Sequence, residues 1–214
     1  MISRNRLFPL LCRCLLLGWL LASLIEFVLA AGPSYAGFCL LSVQAGAFFA
    51  MLLFFAIISN AIDLRHGIRG IPAGMYMPLA LPVMAYGCFG SLTYLIFNLG
   101  SDKSGWLGIF FHVSLLLIIL IDYLLFEQKG NVRLYSAVFS EGYVLIYLLS
   151  VYIRPYIWNN SVLLDNTDYP YFFMVPDSYL CILYDACFLA CSLLFLIAFV
   201  LLDGLLSSFG KEKA

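Results

Sequence analysis

Residues 105–126, GWLGIFFHVSLLLIILIDYLLF, constrain the fold more than any other stretch of this chain. As one α-helix, rising ~1.5 Å per residue, the run spans about 33 Å. That matches the thickness of a bilayer's hydrocarbon core. It also carries a histidine, His112, and an aspartate, Asp122. Ionisable side chains are costly inside a membrane and face the interior of a helix bundle when they occur there. The polar residues at matching depth on other helices therefore become the functional question.

Soluble domains carry charge on about a quarter of their residues. Here 11% are charged and 64% hydrophobic, with a mean hydropathy of +1.01. These values exclude a soluble globular domain and predict an integral membrane protein. The net charge of −1 excludes the basic surface of a nucleic-acid-binding protein.

Six apolar segments recur, at 8–31, 36–59, 75–99, 105–126, 134–153 and 179–203. Each is long enough for one helical crossing, and roughly twice the length of a barrel strand. The expected fold is all-α, a polytopic membrane protein in which residues 1–214 form one domain, a bundle of six transmembrane helices. The apolar run after Arg13 is longer than a signal-peptide core and contains Glu26, so the first segment reads as a retained helix. With a cytoplasmic N-terminus, Arg4, Arg6, Arg13, Arg65, Arg69, Lys129, Arg133, Lys211 and Lys213 lie inside, and Lys103 and Arg154 outside. This bias predicts that both termini are cytoplasmic. The absence of long tails favours a bacterial plasma membrane.

The seven cysteines form no CxxC pair. They read as small apolar packing residues, and neither a metal site nor a cofactor is expected.

Depth groups the polar residues into two layers. Counted from the outer ends of their segments, Ser42, His112, Asp185 and Glu26 lie about 7–10 Å deep, with Gln44 one ~3 Å step below Ser42. A serine hydroxyl needs a base to become nucleophilic, and histidine suits that task near neutral pH. Either Asp185 or Glu26 is placed to orient the imidazole, and Gln44 or backbone N–H groups freed near a helix kink to support an oxyanion. Asp122 and Glu141 form a second layer in the inner half, expected to tie helices together. The outer stretch 154–178 is aromatic. Trp158, Tyr169, Pro170, Tyr171 and Phe172 read as a lid over the bundle mouth or as an interfacial belt.

Four places resemble the androgen-induced-gene-like family of membrane proteins, which includes the androgen-dependent TFPI-regulating proteins, and in particular its bacterial six-span branch. They are FCLLSVQAG (38–46), GIRGIPAG with SLTYLIF (within 67–97), His112 with LIDYLLF (120–126), and DYPYFFMVP (168–176). The resemblance implies an intramembrane hydrolase of esters between fatty acids and hydroxy fatty acids, with a threonine nucleophile and a histidine. By position these fall on Ser42 and His112. The chain departs from the family in having serine for that threonine, Gly46 for an asparagine, and Leu116 for a proline. The expected partners are a lipid or fatty-acid ester substrate and the surrounding membrane lipids. A non-catalytic transporter, or a lipid-binding or scaffold protein, is the alternative.

Overall fold

The computed structural model describes residues 7–30, 40–67, 74–98, 106–157, 174 and 180–211. Six helices follow one another: α1 (Leu7–Ala30), α2 (Leu41–Arg65), α3 (Met77–Asn98), α4 (Trp106–Phe126), α5 (Leu134–Ile157) and α6 (Leu180–Lys211). The described residues contain no strand. Five helices (α1, α2, α3, α4 and α6) are long and apolar enough to cross a membrane. The remaining helix, α5, has comparable length but is interrupted by Glu141, Arg154 and several tyrosines. The architecture is that of a multi-pass, all-helical integral membrane protein.

The first four helices form a ring. α1 packs on α2 and α4, and α3 packs on α2 and α4, while α5 and α6 pair and lean on α3. Leu20, Phe49, Leu53, Leu81, Met84, Phe111, Leu115 and Ile119 fill the centre. Large apolar side chains also cover the outside, among them Phe54, Phe55, Ile96, Leu124, Leu149, Ile182 and Leu194. Apolar residues on both sides of every helix suit a lipid surround, where helices satisfy their own backbone groups and keep polar side chains between them.

The second helix begins at Leu41 rather than near 36 and runs to Arg65. The apolar run ends at Asn60, but that side chain donates back to the Ala56 carbonyl at 2.8 Å. A polar residue satisfied within the helix does not stop it. At the other end Leu40 is extended, so Ser42 is the second residue of α2, not a residue six positions deep.

The expected layer of Asp122 and Glu141 is split. Arg13, counted above among cytoplasmic charges, is fully buried. Its Nε donates to Asp122 Oδ1 at 2.8 Å and its Nη2 to Glu127 Oε1. Glu127 also accepts the Met75 amide at 2.9 Å. One buried cation thereby ties α1 to the end of α4 and to the start of α3. Glu141 belongs to another network, accepting hydroxyls from Tyr86 on α3 and Ser192 on α6. Asp203 adds a third tie, accepting the Tyr123 hydroxyl at 2.9 Å and the Gly130 amide at 2.8 Å.

Just beyond α4, burial pushes the Glu127 carboxyl up to about 7; Asp122 reinforces the push, and Arg13 and the Met75 amide oppose it. A folded-state pKa raised above the unfolded value means the fold favours the protonated acid. Its contribution to stability is therefore fully present below about pH 4.5 and is lost as pH rises through about 7. The thermal midpoint of the purified protein should drop between pH 5 and pH 8, and Glu127→Gln should flatten that dependence. An unchanged slope in the variant would remove Glu127 as its source.

Candidate active site

Ser42 and His112 meet at the centre of the four-helix ring. Ser42 Oγ lies 2.8 Å from His112 Nε2, and both side chains are fully buried. His112 sits two turns into α4, where its other ring nitrogen, Nδ1, is 2.7 Å from the carbonyl of Gly108, four residues earlier. A carbonyl only accepts, so Nδ1 carries the proton and the neutral ring presents Nε2 as an acceptor. The serine hydroxyl must then donate to it. This is the tautomer a general base requires.

Two glycines permit the approach. A Cβ on Gly90 of α3 would stand 2.8 Å from the Ser42 amide nitrogen and 3.1 Å from its Cα. Only glycine lets α3 pass that close to the first turn of α2. Gly90→Ala should push Ser42 off His112 without removing a reactive group. Misplacement on this scale costs about 10²-fold in rate, which a fluorophosphonate labelling assay on detergent-purified protein would register; parent-like labelling would mean the spacing is slack. On α4, a Cβ at Gly108 would fall 2.3 Å from the Tyr94 hydroxyl. Its absence lets the Tyr94 ring lie flat on the imidazole, with centroids 3.7 Å apart and planes within 2°. Phe27 and Phe111 meet the same ring edge-on at 5.6 Å and 4.9 Å. His112 is thus boxed by aromatics from α1, α3 and its own helix.

The other polar residues expected in this layer lie elsewhere. Asp185 accepts the Tyr152 hydroxyl, with Cys181 beside it, between α5 and α6. Glu26 is on the exposed side of α1. Neither touches the imidazole, and the Gly108 carbonyl holds Nδ1 in their stead. Asp185→Asn and Glu26→Gln should each leave Ser42 labelling within about twofold of the parent, since effects at sites that share no partner are independent. Gln44 Oε1 accepts the Tyr143 hydroxyl at 3.0 Å, so that contact faces α5 rather than the serine. Trp158, Tyr169, Pro170, Tyr171 and Phe172 lie outside the described residues.

Tyr94, Gly90 and Gly108 escape a reading based on depth. The i, i+4 spacing of Gly108 and His112 was the available signal, because those positions share one helix face.

Below Ser42, Ala45 begins the lining of a cleft of about 200 Å³ between α2, α3 and α5, walled by Phe48, Pro82, Val83, Tyr86 and Tyr143. No family model, curated protein or solved structure matches this chain.

Proposed function

We propose that this chain is an intramembrane hydrolase of lipid esters, with Ser42 as nucleophile and His112 as general base and then acid. The observation that carries this reading is the buried 2.8 Å contact between Ser42 Oγ and His112 Nε2, with Nδ1 engaged by a carbonyl. A serine used only for helix packing has no need of an imidazole in the one tautomer that accepts its proton.

The chemistry follows from that pair. Ser42 Oγ attacks the ester carbonyl carbon as its proton passes to His112 Nε2. The tetrahedral intermediate collapses, the carbon–oxygen bond to the alcohol breaks, and Nε2–H protonates the departing alkoxide. Water then gives a proton to Nε2 and adds to the acyl-serine. The acid leaves, and the proton returns to Ser42 Oγ. The amides of Leu41 and Ser42 precede the first bonded turn of α2, where Val43 and Gln44 both donate to the Leu40 carbonyl. First-turn amides point out of a helix toward negative charge, which suits a developing oxyanion beside Ser42.

Location supports a lipid substrate. The pair lies within a shell of apolar side chains, and in this reading the acyl chain occupies the cleft between α2, α3 and α5 that starts one turn along α2 at Ala45. In this reading all six helices cross the membrane, both termini are cytoplasmic, and the esters are of the fatty-acid–hydroxy-fatty-acid kind that the family resemblance implies. The test is turnover of a panel of long-chain acyl esters by the protein in lipid nanodiscs. The parent should release free fatty acid and Ser42→Ala should not; equal release by both proteins would refute a serine mechanism.

A further inference from the structure

Any base that takes a proton becomes a cation, and a buried imidazolium needs compensation. Serine–histidine pairs commonly obtain it from a carboxylate. Here both ring nitrogens are already engaged, Nε2 by Ser42 and Nδ1 by the Gly108 carbonyl, and no carboxylate among the described residues reaches either. Glu26 neighbours Phe27 on α1 but is exposed. α2 presents Ser42, α4 presents Gly108 and Phe111, and α3 presents Tyr94.

The Tyr94 contact has the geometry that stabilises a cation. The imidazole lies parallel to the ring at 3.7 Å, over the negative face of the aromatic quadrupole, well inside the ~6 Å range of cation–π attraction. Gly108 keeps that position open, since a Cβ there would strike the Tyr94 hydroxyl. Resting on the hydrolase reading above, the geometry points to Tyr94 as a positioning residue whose π face, with the Gly108 carbonyl, does for protonated His112 what a carboxylate does in other serine–histidine sites. The ring also fixes the imidazole plane, so that Nε2 points at Ser42 in both protonation states.

The experiment compares Tyr94→Phe with pentafluorophenylalanine at the same position. The two rings are nearly equal in shape, but fluorination removes the negative face, so a purely steric role predicts no difference between them. Two quantities are read in nanodiscs: the midpoint of His112 protonation by ¹⁵N NMR, and the rate of Ser42 modification by a fluorophosphonate. The expected result is a parent-like midpoint for Tyr94→Phe and, for the fluorinated ring, a shift of the midpoint toward lower pH with modification slowed about tenfold. A midpoint that moves on fluorination in protein whose serine never reacts would support the Tyr94 role while refuting the hydrolase reading. A midpoint equal for the two rings would overturn the Tyr94 role even if the parent hydrolyses esters.

Discussion

His112→Ala should slow ester hydrolysis by about 10²–10⁴-fold, the usual contribution of a positioned general base, and Ser42→Ala should bring it to the rate of the lipid alone. The double variant should be no slower than Ser42→Ala. Nucleophile and base act as a unit, so removing the second after the first costs nothing further. This non-additivity distinguishes a reactive pair from two independent packing residues. If the buried serine and histidine merely tied α2 to α4, the single variants would lower the thermal midpoint and leave any residual turnover unaffected. Initial rates on one acyl ester, measured beside the thermal midpoint of each variant, separate the two cases. His112→Gln serves as a control for volume. It keeps a polar side chain of similar length at this site but has no group that takes a proton near neutral pH.

Arg13→Met should be the most destabilising single substitution at the end of the bundle where α1 starts and α4 ends. Arg13 is fully buried and is shared by Asp122 and Glu127, which is itself bonded to the Met75 amide. Breaking a buried ion pair from one side leaves an uncompensated charge and costs about 3–5 kcal/mol. Removing the charges together costs far less, because no buried charge is then left without a partner. Arg13→Met combined with Asp122→Leu and Glu127→Gln should therefore recover much of the thermal midpoint lost in Arg13→Met alone. A triple variant as unstable as the single one would mean that Arg13 acts mainly through its packing, including its guanidinium over the Phe126 ring at 5.3 Å.

Hydrophobic length was enough to find the helices. All six expected segments correspond to helices, and 105–126 differs from α4 by a single residue. Helix ends were harder to find, because hydropathy reports where apolar side chains stop and hydrogen bonding continues past them. Asn60, bonded to its own helix, shows this at the end of α2.

Counting from the ends of the apolar segments put Ser42 level with His112, and the structure brings them within hydrogen-bond distance although Ser42 is only the second residue of its helix. Depth gives no azimuth, however, so Asp185 and Glu26 shared the layer on paper although one faces α5 and the other is exposed. The partners of Arg13 escape a depth count for a related reason. Topology rules use a basic residue near the start of a span only as a charge count, and they say nothing of the Asp122 that Arg13 meets six residues into α1. The signal was present as opposite charges at similar distances from the start of α1 and the end of α4. The π face of Tyr94 had no comparable signal, since one tyrosine among the 14 in the chain is not set apart by depth or charge.

The most direct measurement is the site of covalent modification. Protein in nanodiscs would be treated with a small alkyl fluorophosphonate, digested and mapped by mass spectrometry, alongside His112→Ala. An activated pair predicts one phosphonylated residue, Ser42, in the parent and none in the variant. An adduct on another hydroxyl, or an equal Ser42 adduct in His112→Ala, would contradict the account, because the reactivity would then not come from the bond between Ser42 and His112.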